Sequence, residues 1–286
     1  MKKKSIQQII LNQDIVYGLV NQKALYDIAK GSENLVQRLG LKADLPIHHG
    51  CVNTLSWNSS GQYLLSGSDD CCLCITDIYR EKLVVSTKTN HTANIFNAKF
   101  LPNTENRHVV SCAGDGMIIF SDIENPDTSM KNCFSCHFGS AYKLETVPND
   151  PHTFLSCGED GTVRWFDLRT KTQCLKKECT EDILINCRCS VTSLAVSPFT
   201  PYYICVGCSD SSVRIYDRRM LATGGFPNSW PRSALHSFTV PEVSARNCRI
   251  TSVEYSPDGQ ELLVSYSSDQ IYLFNIQVFF MLAKGL

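Results

Sequence analysis

Five short segments of this chain share one pattern. Each has a strand, a turn built around aspartate, and a second strand of alternating character closed by an aromatic–Asp pair or a remnant of one. The fullest copy is Cys157-Gly-Glu-Asp-Gly-Thr-Val-Arg-Trp-Phe-Asp-Leu-Arg169. Its Asp-Gly step is among the strongest short hairpin signals, because both turn residues take φ > 0. Residues 208–219 repeat it closely, and residues 112–122, 67–77 and 267–275 repeat it loosely. The turn aspartates are read as Asp70, Asp115, Asp160, Asp210 and Asp269, separated by 45, 45, 50 and 59 residues.

Repeats spaced by roughly 40–45 residues, each with room for four short strands, mark a WD-repeat β-propeller. The expected fold is all-β, with about five recognisable blades over residues 47–277 and a short, partly helical leader at 1–46. The units fall at 47–78, 90–123, 136–169, 189–219 and 248–276, each with apolar alternation on both sides of a turn. In the leader, Ile6, Ile9 and Ile10, then Leu25, Ile28 and Ala29, then Leu35, Val36 and Leu39 fall at helical spacing, with Ser32 as a cap and Gly40 as a stop. Propellers hold about 4–8 blades and close to remove exposed sheet edges. The last unit here gives way to an apolar tail at 278–286, Phe279-Phe-Met-Leu282 included. The expectation is an incomplete ring with the tail folded back over its edge. The stretches 170–188 and 220–247 exceed ordinary hairpin loops and are expected to be mobile, the second disordered at its centre.

Composition narrows the function. With 27 basic and 28 acidic residues, nothing favours nucleic acid or an anionic membrane as partner. No run approaches the roughly 20 apolar residues of a spanning helix, and the start lacks a clean signal peptide. The fifteen cysteines therefore read as reduced intracellular thiols. The short pairs Cys133/Cys136 and Cys205/Cys208, and the Cys71-Cys-Leu-Cys74 run, lie in different blades. They read as small core side chains with no metal and no cofactor. No nucleophile elbow, phosphate-binding glycine loop or HExxH helix occurs, so no catalytic residue is assigned and no enzyme is expected.

Polar residues at fixed repeat positions read as structural networks: His91, Ser111 and Asp115 in the second unit, His137, Ser156 and Asp160 in the third, and Asp210 in the fourth. Buried networks of this kind rigidify a blade when every member is satisfied. Units four and five lack the leading histidine. A separate feature is Phe166-Asp167-Leu168-Arg169 and Tyr216-Asp217-Arg218-Arg219, aromatic-Asp-x-Arg in consecutive units. Both arginines follow a third strand and should emerge on one rim. Arginine presents a rigid donor fork and is enriched at interface hot spots.

Paired boxes of this type resemble those of the WD-repeat substrate receptors of cullin-four ubiquitin ligases, within them the branch that also carries an IQ motif. The likeness runs over roughly residues 35–277. Its carriers include Gly50-Cys-Val-Asn-Thr54, Ala93-Asn-Ile-Phe96, Val147-Pro-Asn-Asp-Pro151, Phe154 through Asp167, Asp182-Ile-Leu-Ile-Asn-Cys187 and Val206 through Leu221. The resemblance implies a non-catalytic receptor docking through Asp167, Arg169, Asp217 and Arg219. The partner so implied is the ligase's triple-propeller adaptor, the damage-specific DNA-binding protein subunit. It further implies protein substrates captured for ubiquitination, nuclear receptors among them, a coactivator role toward nuclear receptors, and residence in nucleus and cytoplasm. The alternative reading is a general WD scaffold whose arginines only brace their own blades. The family's long acidic insert, IQ motif and further repeats have no counterpart in this sequence.

Overall fold

Each aspartate turn joins the second and third strands of an antiparallel meander, and the meander is the repeating element of the molecule. The computed structural model describes residues 33–125, 132–176, 179–224 and 234–276. The chain divides into two units, 1–45 and 46–286. In the first, a single helical turn, α1 (Glu33–Val36), stands where the Leu35–Leu39 helix was expected. The two earlier helical stretches and the Ser32 cap lie outside the described residues, as does the apolar tail.

The second unit holds five sheets in chain order. Blade 1 is β1 (Val52–Trp57), β2 (Tyr63–Ser68), β3 (Cys72–Asp77) and β4 (Lys82–Lys88). Blade 2 is β5 (Ile95–Phe100), β6 (His108–Ala113), β7 (Ile118–Asp122) and β8 (Cys133–Phe134). Blade 3 is β9 (Ala141–Thr146), β10 (Thr153–Gly158), β11 (Thr162–Asp167) and β12 (Ile183–Asn186). Blade 4 is β13 (Val191–Val196), β14 (Tyr203–Cys208), β15 (Val213–Asp217) and β16 (His236–Phe238). Blade 5 has three described strands, β17 (Ile250–Tyr255), β18 (Glu261–Tyr266) and β19 (Ile271–Asn275).

Three expectations are corrected here. The outer strands β4, β8, β12 and β16 come from the stretches between the units read in the sequence. They run from two to seven residues and have little apolar alternation, so pattern alone gives no sign of them. For the same reason, much of 170–188 and 220–247 is ordered structure rather than mobile loop. Ile183–Asn186 pairs with β11, His236–Phe238 pairs with β15, and helix α2 (Pro241–Ala245) buries Val243. The centre of the second stretch, 225–233, lies outside the described residues. Finally, Asp269 is not the equivalent of the other turn aspartates. Pairing of Ile271 with Ser265, set against Val163 with Cys157, places Asp269 where blade 3 has Gly161. Ser268, at φ 59°, stands in the aspartate's place.

Apolar clusters between successive sheets hold the blades together, such as Phe134, Phe154 and Phe166 between blades 2 and 3. A repeated inner-strand bond adds to them. The Ala98, Leu144 and Val253 amides donate to Thr54 Oγ1 (3.3 Å), Asn97 Oδ1 (3.2 Å) and Ser193 Oγ (3.0 Å) of the blade before or beside them. Among the described residues no strand of blade 5 pairs with blade 1, so the row of blades is not closed.

Candidate functional site

One end of every blade is built the same way. The residue after the third strand donates its amide to the carbonyl that precedes the second strand: Ile78 to Gln62, Ile123 to Arg107, Leu168 to His152, Arg218 to Tyr202 and Ile276 to Gln260. The aspartate closing the third strand is thereby held at the same rim in four blades, as Asp77, Asp122, Asp167 and Asp217. Asn275 takes the position in the fifth.

In blades 3 and 4 the aspartate binds an arginine two residues on. The Arg169 amide (2.9 Å) and Nε (2.9 Å) donate to Asp167 Oδ1, and Nη2 donates to Oδ2 (2.7 Å). Arg219 repeats this on Asp217 with 2.9, 3.0 and 2.7 Å. Each fork therefore lies flat against its own carboxylate. These bonds hold both carboxyls below the usual aspartate range, although partial burial pushes the other way. Both arginine side chains stay 59% exposed, while the Asp217 side chain is only 8% exposed. The Arg219 guanidinium also lies 3.6 Å over the Tyr202 ring, and Arg218 covers Trp165 of the neighbouring blade at 4.3 Å.

Blade 2 has the same device from a distant residue, which sequence reading missed. Arg107 Nε and Nη2 donate to Asp122 Oδ1 and Oδ2 at 2.9 and 2.8 Å. Because Arg107 precedes the second strand rather than following the third, no local motif announces it. The register of β6 against β7, which pairs His108 with Asp122, brings it there.

The polar networks sit at the other end of the blades. His137 Nδ1 meets Asp160 Oδ2 at 3.0 Å and its Nε2 meets Ser156 Oγ at 2.6 Å. His91 meets Asp115 at 3.3 Å and Ser111 at 2.9 Å. Blade 1 has a full set that was not read from the sequence: His48 with Asp70 at 3.0 Å and Ser66 at 2.8 Å. In blade 4, Asp210 accepts instead from Ser212 and Arg214. Val206 and Val264 occupy the serine position in blades 4 and 5, so histidine and serine are present or absent together. The one cross-blade ion pair on the inner strands, among the described residues, is Lys99 with Glu145 at 3.1 Å. Burial pushes the Glu145 carboxyl up, against the pull of Lys99 and Lys143.

Cys133, Cys136, Cys205, Cys208 and Cys74 are buried, as expected of core thiols, whereas Cys71 and Cys72 are half-buried. The fold also joins Cys136 to residues that spacing did not suggest: Cys174, Cys179 and Asp182 form one cluster with it. No helix among the described residues is long and apolar enough to cross a membrane.

Comparison with known proteins agrees with the sheet pattern. The family model described as "WD domain, G-beta repeat" matches residues 41–77, 129–167 and 181–217. Over 90% of its length the chain is 53% identical to mouse "DDB1- and CUL4-associated factor 6" and 52% identical to the human protein of that name. It is 35% identical over 85% of its length to "Protein ALTERED SEED GERMINATION 2" of Arabidopsis thaliana. The chain spans 30% of the length of the two mammalian relatives and 36% of the plant one.

Proposed function

Because this chain belongs to the WD-repeat family of DDB1- and CUL4-associated factors, we propose that it is a substrate receptor of a cullin-four ubiquitin ligase. On this reading it docks on the ligase's DDB1 adaptor through the rim that carries Asp167, Arg169, Asp217 and Arg219, and captures protein substrates elsewhere. The role is one of recruitment rather than catalysis. Residence in nucleus and cytoplasm, and nuclear receptors among the recruited proteins, belong to the same proposal.

The observation that supports it is the paired geometry of the two boxes. Nε and Nη2 of each arginine are held by its own aspartate, so two half-exposed guanidinium groups with Nη1 outside these bonds stand at equivalent positions of adjacent blades. A fork already fixed by its carboxylate loses little further freedom on binding carbonyls or carboxylates of a partner. The same bonds favour a second reading, in which the arginines only brace the rim of a general WD scaffold.

Co-purification separates the two. The tagged chain should retain the adaptor from cell extract, and the Arg169→Ala/Arg219→Ala variant should lose it while staying folded. Equal recovery by both proteins would leave the scaffold.

A further inference from the structure

We propose that Cys136, Cys174, Cys179 and Asp182 bind a zinc ion that staples blade 2 to the segment following the Asp167-Leu168-Arg169 box. The four ligand atoms lie within 4.8 Å of one another, and all three cysteines are buried. Zinc held tetrahedrally, at about 2.3 Å from sulfur and about 2.0 Å from oxygen, sets sulfur–oxygen separations near 3.5 Å. Asp182 Oδ2 lies 3.6 Å from Cys136 Sγ and 3.5 Å from Cys179 Sγ.

An apolar-core reading of these thiols does not explain why a carboxylate is turned in among them. Asp182 is half-buried and ion-paired with Lys171, but its Oδ2 also faces two thiols, whose weak S–H donors repay little of its desolvation, whereas a dication makes the same arrangement favourable. Sulfur-rich tetrahedral donors with one oxygen suit zinc better than magnesium or calcium, which take oxygen sets. Binding would convert the thiols to thiolates and release their protons to solvent. The outer partners are also in place. Lys171 Nζ donates to Asp182 Oδ2 (2.9 Å) and to Cys179 Sγ (3.6 Å), offsetting part of the excess negative charge of such a site.

The backbone shows what the staple would secure. Strand β8 is two residues long, Cys133–Phe134, and Cys136 lies two residues beyond its end. The Cys174 amide donates to Cys133 O (2.9 Å), and the Ser135 amide donates to Cys174 O (2.7 Å). The polar stretch 170–176 thus adds to blade 2 before returning through Cys179 and Asp182 to β12 of blade 3. Apart from Cys174 it offers little buried apolar surface to anchor it, Leu175 being exposed. The other sulfur cluster, Cys189, Cys208 and Asp210, has one thiol fewer, and its aspartate is taken up by Arg214.

The test uses the full chain, expressed with zinc supplied, purified under reducing conditions and passed over chelating resin. Elemental analysis should find about one zinc per chain. Cys174→Ser/Cys179→Ser should lower it at least tenfold, and Cys189→Ser should leave it unchanged. Stripping the metal from the wild-type chain and adding cobalt should give the thiolate charge-transfer and strong visible bands of a tetrahedral sulfur site. This readout stands even if the double variant fails to fold. A chain with no zinc and no such cobalt spectrum would overturn the proposal. So would zinc retained in a folded Cys174→Ser/Cys179→Ser variant, or an intact mass showing Cys136 and Cys174 joined as a disulfide in the reduced preparation.

Discussion

Asp160 shows how one side chain holds a blade end together. It accepts from His137, from the Thr162 amide at 3.0 Å and from Thr162 Oγ1 at 2.8 Å. Burial works against its charge, but the bonds from His137 and Thr162 prevail and hold its carboxyl well below the usual range. His137 moves down because burial strips water from the charged ring, so it stays neutral, donating from Nδ1 to Asp160 and accepting from Ser156 at Nε2. Removing the carboxylate by Asp160→Ala leaves these donors unpaired, and a loss of about 2–4 kcal/mol in unfolding free energy is expected by denaturant titration. The titration follows in sign. The unfolded chain binds a proton at histidine below about 6.5, the fold resists it, and stability therefore falls as pH drops through that value. A second loss comes below the ordinary carboxylate pKa, as Asp160, Asp115 and Asp70, the last held at about 2, are forced to protonate. Melting temperature should decline from pH 7 to 5 and more steeply below 4, and a flat profile from 8 to 4 would contradict this account. At this scale the sequence was readable where the partners recur at fixed spacing, as for His137, Ser156 and Asp160. It was not readable where two histidines adjoin, His48 and His49, or where a residue such as Arg107 reaches its partner only through strand register.

Among the elements, the turns are the most constrained. Gly161 sits at φ 74°, and a Cβ there would lie 2.7 Å from the Cys189 carbonyl oxygen. Gly161→Ala should therefore cost about 1–3 kcal/mol, through left-handed strain plus backbone crowding. Ser211 tolerates the same conformation in blade 4 at φ 67°, with its hydroxyl bonded to the Cys248 carbonyl. A thermal melt equal to wild type in Gly161→Ala would show that the turn can relax. The inner three strands of blades 1 to 4 were legible because apolar alternation and an aspartate turn occur together, and those of blade 5 from alternation alone. The outer strands were not, because two to seven residues of mixed polarity carry little pattern and gain their stability from pairing. The stretch 170–176 escaped for a related reason, since Cys174 pairs with a strand some forty residues earlier.

For the second unit as a whole, the unclosed row of blades leaves apolar surface at both ends. Leu55 and Trp57 of blade 1 are 63% and 55% exposed, and Leu263 and Leu273, paired across β18 and β19, are 48% and 60% exposed. Replacing the latter two by lysine and glutamate should raise the concentration at which the protein stays monodisperse in light scattering, with little change in melting temperature. The rim with the two boxes carries the functional account, and its most direct test is affinity. Calorimetry should compare the purified DDB1 adaptor binding to this chain and to its Arg169→Ala/Arg219→Ala variant. An interfacial arginine truncated at a desolvated centre costs about 2 kcal/mol or more, against about 0–1 kcal/mol for an exposed pair. The receptor account predicts a Kd at least ~30-fold weaker in the variant, with its circular dichroism and melt close to wild type. An unchanged Kd in that folded variant would contradict it and leave the arginines as braces of a scaffold.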